Sequence, residues 1–113
     1  MPARKEQLVA MLQSQPDDVF LNFALAMELA KSDQPADALA QFDRVIALDP
    51  AYTAAYTQKA ALCEKLGRFD EAKRVYCQGI ESAKARGDKH AASKMQEVLD
   101  RLERLTPPGP RLQ

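Results

Sequence analysis

Apolar residues recur along most of the chain at spacings of three and four residues, which is the pattern of amphipathic α-helices. In the first such segment Leu8, Met11 and Leu12 share one face, and the last segment carries a longer apolar stripe that ends at Leu105. No run of alternating β-branched residues is present, so we expect no sheet. The pattern predicts an all-α protein of about six helices, over residues 3–14, 18–31, 35–48, 53–66, 69–86 and 88–105.

The middle of the chain repeats itself at a constant step of 34 residues. Small residues, Ala26 and Ala38, lie where two successive helices would touch closely. The step relates Ala26 to Ala60, Ala38 to Ala72, Phe42 to Tyr76 and Ile46 to Ile80. Counted backwards, it relates Phe42 to Leu8, Ile46 to Leu12 and Pro50 to Pro16. The chain therefore contains two helix-turn-helix units, preceded by the second half of another.

The repeated residues are also those of a known motif. The first unit has a leucine beside a small residue, then Ala38, Phe42 and Pro50. The second unit has Tyr56, Ala60, Gly67, Phe69, Ala72 and Tyr76. This arrangement resembles the tetratricopeptide repeat family. The departures from the motif are Asn22 for tryptophan and Leu29 for tyrosine in the first unit, and Lys59 for leucine, Cys63 for tyrosine and Lys84 for proline in the second.

The resemblance covers about residues 19–86 and implies antiparallel helix-turn-helix repeats whose first helices line a concave side. The division that it implies is a single domain over residues 1–105, made of an N-terminal capping helix (3–15), two repeats (19–52 and 53–86) and a C-terminal capping helix (88–105). The proline-rich residues 106–113 are expected to be a disordered tail or an extended polyproline segment.

Charge and hydropathy disfavour several classes of function. Sixteen Lys and Arg residues balance sixteen Asp and Glu residues, so nothing favours nucleic acid or an acidic membrane as partner. Residues 1–56 hold 4 basic and 8 acidic residues, whereas residues 57–113 hold 12 and 8. This asymmetry fits either an oriented docking surface or an ordinary solvated surface. No apolar run approaches the roughly 18 residues of a membrane span, and no signal-peptide core follows the N-terminus, so we expect a cytoplasmic protein.

Candidate catalytic and metal-binding residues are scarce. The only histidine, His90, lies in a basic stretch, and a lone histidine without a positioned partner is expected to be solvated. Cys63 and Cys77 lack the spacing of a redox pair or of a zinc site, so we expect both to be reduced. No glycine-rich phosphate loop or nucleophile motif is present. We therefore expect neither an enzyme nor a cofactor.

The resemblance places the candidate partner-binding residues on the first helix of each repeat. The candidates are Phe20, Phe23, Met27, Thr57, Gln58, Ala61, Lys65 and Met95, with Lys31 as a further one. Two phenylalanines and a methionine on one side would form an adaptable apolar groove for a helix or an extended peptide. The alternative is that Phe20 and Phe23 are core residues, covered by the N-terminal helix and the neighbouring repeat.

One subclass of the family grips the C-terminal carboxylate of a peptide with lysine and asparagine side chains. The equivalent positions here carry Phe23, Ala24, Met27 and Ala61, so we do not expect that binding mode. Lys59 and Lys65 are instead expected to be isolated cations on a solvated surface.

The resemblance thus predicts a non-catalytic module that binds a peptide or helix of another protein on its concave face. Self-association is one alternative, because two full repeats make a short stack that a homodimer would extend. A regulatory subunit that docks on an enzyme through its convex or basic C-terminal face is another. Nucleic-acid binding is least favoured, since no aromatic residues interleave with the basic ones, and we expect no membrane partner.

Overall fold

The computed structural model describes residues 3–105 and confirms the all-α prediction. These residues form helices joined by short turns, without a strand in this range, and each helix begins and ends within one residue of its predicted bounds. The helices are α1 (Arg4–Ser14), α2 (Val19–Lys31), α3 (Pro35–Leu48), α4 (Thr53–Lys65), α5 (Phe69–Ala85) and α6 (Lys89–Leu105). The expected tail, residues 106–113, lies outside the described residues.

Acidic side chains fix where two of the helices begin. The Asp18 carboxylate accepts a 2.8 Å hydrogen bond from the backbone N–H of Leu21 and thereby caps α2. Asp17, the neighbouring candidate for this role, instead pairs with Arg44 of α3 at 2.6 Å. Asp88 caps α6 in the same way, by accepting a 3.0 Å hydrogen bond from a backbone N–H of the first turn.

The α2–α3 and α4–α5 turns each contain one residue in the left-handed conformation. Gly67, which follows α4, has a φ angle of 76°, and glycine adopts this angle without steric cost. Asp33 lies 34 residues earlier, at the equivalent position, with a φ angle of 57°. Aspartate tolerates this region better than most residues that carry a side chain. Pro35 then begins α3, where the helix does not use the missing N–H.

Small residues bring α2 against α3 and α4 against α5. The alanines of the repeated motif have no exposed surface at all; they are Ala26, Ala38, Ala60 and Ala72. These two helix pairs, together with α5 and α6, make the most extensive contacts, and α2 also contacts α4. Successive helices therefore stack so that the first helices of neighbouring pairs adjoin. The division into two repeats and two capping helices stays a prediction.

The closest approach of α5 to its neighbours is at Gly79. A Cβ atom added here would lie 2.6 Å from the sulfur of Met95 in α6 and 2.8 Å from Cβ of Tyr56 in α4. Such distances are too short for a close-packed interior, so glycine is required here by packing and not by turn geometry. In α3 the equivalent residue is Val45, which is fully buried. The helices around α5 are thus packed more tightly at this position than those around α3.

The length of α5 ties it to the preceding turn. It has 17 residues, three more than α3, because Lys84 stands where a proline ends the first unit. The added turn brings the Ser82 hydroxyl to the carbonyl oxygen of Pro50, to which it donates a 2.6 Å hydrogen bond. The Arg86 guanidinium donates to the carbonyl oxygen of Ala51 at 2.6 Å. Both hydrogen bonds join the end of α5 to the α3–α4 turn.

Asn22 is the single polar residue among those described that is buried, at 4% exposure. Its amide nitrogen donates hydrogen bonds to the carbonyl oxygens of Pro16 and Asp18, at 3.0 and 2.8 Å. Its carbonyl oxygen accepts one from the side-chain amide of Gln41 in α3. One side chain therefore joins the α1–α2 turn, α2 and α3, at the position where the family motif has tryptophan.

Replacing Asn22 by leucine is expected to lower the free energy of unfolding by about 1–3 kcal/mol, because a half-buried amide loses its acceptor and the turn loses its donor. Urea denaturation followed by far-ultraviolet circular dichroism measures the change. The double variant Asn22→Leu/Gln41→Leu should recover part of the loss, since no amide is then left unpaired. Equal stability of Asn22→Leu and the parent would show that the hydrogen bonds contribute nothing net.

Candidate functional site

Two grooves lie on the inner face, which we define as the face formed by α2, α4 and α6. The first groove runs between α2 and α4 and encloses about 270 Å³. Its lining residues are Met27, Ala30, Lys31, Phe42, Gln58, Ala61, Leu62 and Lys65. Phe42 belongs to α3, so the second helix of the first pair supplies part of the groove that two first helices enclose.

The first groove is apolar at its floor and polar at its rim. Phe42, at 1% exposure, and Leu62, at 8%, form the floor, and the half-buried Met27 forms one wall. Ala61 is exposed on the opposite wall, at the position that Met27 holds in α2. Because alanine ends at Cβ where the other helix carries a methionine, a hollow remains beside Met27. Two exposed lysines and the Gln58 amide supply the polar groups of the rim.

The second groove runs between α4 and α6 and encloses about 350 Å³. Its lining residues are Thr57, Tyr76, Ala91, Lys94, Met95, Glu97 and Val98. The floor residue Tyr76 is the repeat equivalent of Phe42. The two grooves thus have the same construction, one on each side of α4, but the second carries charges of both signs.

A hydrogen-bonded cluster fixes the floor of the second groove. The Tyr76 hydroxyl donates a 2.6 Å hydrogen bond to Glu64, which also lies 3.5 Å from Arg101 of α6. Burial, and after it the bond to Glu64, raises the pKa of Tyr76 above its usual value. The neutral hydroxyl therefore stabilises the fold below about pH 10, where unfolded tyrosine titrates, and this contribution is lost as the pH rises further.

The structure distributes the candidate residues over several places. Met27, Gln58, Ala61 and Lys65 lie together in the first groove. Thr57 lines the second groove. The other three candidates are on neither wall of the first groove, and each has a different environment.

The two phenylalanines of α2 have different surroundings. Phe20 is 67% exposed and lines neither groove, so it is not a core residue. Phe23 is half-buried, and its ring centre lies 6.0 Å from that of Phe42 and 5.1 Å from that of Tyr52. These tilted contacts place Phe23 in an aromatic cluster that supports the floor of the first groove without lining it.

The prediction that Met95 belongs to an open inner surface needs correction. Its side chain is 2% exposed and packs against Gly79, so it reaches the second groove only as part of the floor. The prediction extended the 34-residue step to the last helix, yet α6 begins 36 residues after α4. This shift gives Met95 the position of Lys59 and of the buried Leu25, and not that of Ala61.

Lys59 is not an isolated surface cation either. Its side chain is only 15% exposed, and its Nζ atom lies 2.7 Å from the Asp43 carboxylate of α3. The aliphatic stem fills the position of the motif leucine, while the ammonium group reaches an acidic partner. Lys59 therefore joins α4 to α3 and is unavailable to a ligand.

A larger hollow of about 530 Å³ shares no residue with either groove. It is lined by Pro50, Ala51, Tyr56, Gln78, Glu81, Ser82, Ala85 and Arg86. It forms where the extended end of α5 meets the α3–α4 turn, and the missing proline at Lys84 was its only signal in the sequence. Ser82 and Arg86 already hydrogen-bond to the turn, so we assign no binding role to this hollow.

Within residues 3–105, no group of His, Cys, Asp and Glu side chains is placed to hold a metal ion. Cys77 is an exposed free thiol, whereas Cys63 is buried, and burial raises the pKa of the Cys63 thiol. The search for membrane spans covered the same range and found no helix with the length and apolar character to cross a bilayer.

Antiparallel helix pairs that stack side by side, with grooves between their first helices, define a helical repeat protein. A sequence profile of the tetratricopeptide repeat matches residues 29–95. The chain therefore belongs to the tetratricopeptide repeat family, whose members are in general non-catalytic modules for protein–protein interaction.

Solved structures agree with this assignment. A tetratricopeptide repeat domain protein from Salinibacter ruber is 35% identical, with 86% of this chain and 98% of that one aligned at a TM-score of 0.78. A protein from Bordetella parapertussis is 30% identical over 93% and 91% of the two chains, with a TM-score of 0.80. The Sgt2 tetratricopeptide repeat domain from Aspergillus fumigatus, 18% identical over 96% and 75%, shares the fold at a TM-score of 0.66. A comparison with curated proteins gives no match.

Proposed function

We propose that the chain binds a peptide or helix of a partner protein in the first groove of its inner face. The observation that carries the proposal is the hollow beside Met27, where an aromatic floor is open to solvent because Ala61 has no longer side chain. An apolar side chain that enters this hollow would remove apolar surface of Met27 and Phe42 from water. Polar groups at the rim would then fix the orientation of the ligand.

The second groove supports a longer contact. Gln58 lines the first groove and its neighbour Thr57 lines the second, so α4 forms the ridge between them. A bound segment that crosses this ridge would touch both grooves without any rearrangement of the helices. Repeat proteins use extended inner surfaces of this kind for binding.

Replacing Ala61 by arginine is expected to reduce recovery of the partner about tenfold or more, because the new side chain occupies the hollow. Ala61 is exposed, so the substitution should leave the helical circular dichroism and the melting temperature close to those of the parent. The measurement is affinity capture from a lysate of the source organism, with quantitative mass spectrometry of the parent and the variant side by side.

Ala40→Arg is the matched control, since Ala40 is an exposed alanine of α3 that lines neither groove. It should retain the proteins that Ala61→Arg loses. Recovery of the same proteins by Ala61→Arg and the parent would place the docking surface elsewhere, on the convex or C-terminal face, and would end the proposal.

A further inference from the structure

Most charged side chains beside the inner face already have partners. Glu28 of α2 lies 3.6 Å from Arg4 of α1, and Glu64 of α4 bonds to Tyr76 and pairs with Arg101. The amino group of Lys59 pairs with an aspartate of α3, as described above. These charges are therefore engaged within the fold and are not free to select a ligand.

Lys31 and Lys65 differ from this pattern. Both are exposed and line the first groove, and neither has an ion pair or hydrogen bond with any group of residues 3–105. Each lies in the last turn of its helix, where the helix dipole favours a cation even without a carboxylate nearby. The preceding acidic residues of the same helices, Glu28 and Glu64, are held by other partners.

From this arrangement we infer that the segment bound in the first groove carries an acidic side chain next to an apolar one. This inference rests on the proposed function. The apolar side chain lies over Phe42, between Met27 and Ala61, and the carboxylate lies toward Lys31 and Lys65. Because the two lysines come from the two helices that enclose one groove, a single carboxylate there is attracted by both, whereas a basic side chain is repelled by both.

Selection from a random peptide library displayed on phage tests this inference. The immobilised parent should enrich peptides in which Asp or Glu neighbours a large apolar residue. A synthetic copy of the most enriched peptide should bind the Lys31→Glu/Lys65→Glu variant at least about tenfold more weakly in fluorescence anisotropy. The same variant, used as bait, should enrich Lys or Arg in place of the acid, and binding to the parent should weaken as ionic strength rises.

Lys84→Glu is the matched control. Lys84 is also an exposed lysine in the last turn of its helix, yet it lines neither groove. This variant changes the helix end as the test variant does, so it should select and bind the same peptides as the parent. Equal weakening by Lys84→Glu would mean that net charge, and not the two groove lysines, causes the effect.

The outcomes separate this inference from the proposed function. Enrichment of uncharged apolar peptides that Ala61→Arg fails to bind would retain the groove and overturn its preference for acid. Acidic peptides that bind the double variant as tightly as the parent would overturn it as well. If the parent enriches no peptide at all, both the groove and its selectivity fail.

Discussion

Replacing Phe42 by alanine is expected to lower the free energy of unfolding by about 3–5 kcal/mol, which is a large part of the stability of a typical domain. The Phe42 side chain is 1% exposed, and its ring contacts that of Phe23. Removing it leaves a cavity where α2, α3 and α4 meet, because helices fixed by close contacts elsewhere can collapse only partly. Urea denaturation of the two proteins, with the slope m compared as well as the midpoint, measures the loss.

Phe20→Ala is the matched control, because the same atoms are removed from a side chain that is 67% exposed. Its effect should stay within about 0.5 kcal/mol. Comparable losses for the two variants would contradict the burial of Phe42 and, with it, the floor that we assign to the first groove.

Gly79→Val is expected to destabilise the protein by about 1–3 kcal/mol, and by more if the helices cannot separate. The new Cβ atom alone would lie within 3 Å of Met95 in α6 and of Tyr56 in α4. The Met95 sulfur ends a flexible side chain and can move, but Cβ of Tyr56 moves only with the backbone of α4. Thermal unfolding followed by circular dichroism should therefore show a lower melting temperature.

Cys77→Val introduces the same side chain two residues earlier in α5, at an exposed position, and so measures the helix propensity of valine alone. It should melt close to the parent. Adding Met95→Ala to Gly79→Val tests the contact directly, because the two changes should destabilise less together than the sum of their separate effects. Additive effects, or an unchanged melting temperature for Gly79→Val, would show that α5 does not approach its neighbours so closely.

The helices could be predicted because local signals agree with the repeat. Pro35 begins α3, Gly67 follows α4, and a step of 34 residues carries one amphipathic pattern onto the next. Burial of Ala26 and Ala38 follows from the same pattern, because only small residues allow two helix axes to come close. These features depend on spacing along the chain, which the sequence displays directly.

The role of Asn22 could not be predicted in this way. Its polarity was visible as a departure from the motif, but its hydrogen bonds join it to Pro16 and to Gln41, which lie on other elements. Such a network depends on the rotation of each helix about its own axis. The register of α6 was also hidden, because it depends on where α5 ends, and the substitution of a proline by Lys84 does not state how far the helix continues.

The candidate site was predicted in part for the same reason. Met27 and Ala61 hold equivalent positions on neighbouring first helices, so the repeat alone places them on one surface. Phe20 and Phe23 share a helix face with Met27, and the sequence could not show that one ring would stack on Phe42 and Tyr52 while the other stayed in solvent. A groove is defined by the gap between two helices, and that gap depends on tertiary packing.

The hydrogen bonds from Ser82 and Arg86 to the α3–α4 turn cross 32 and 35 positions of the chain. Any local opening that releases the end of α5 also removes partners from the carbonyl groups that precede α4. In a short stack this coupling raises the interaction between neighbouring units relative to the stability of each unit alone. The two helix pairs are thereby made to open as one cooperative block and not to fray from an end.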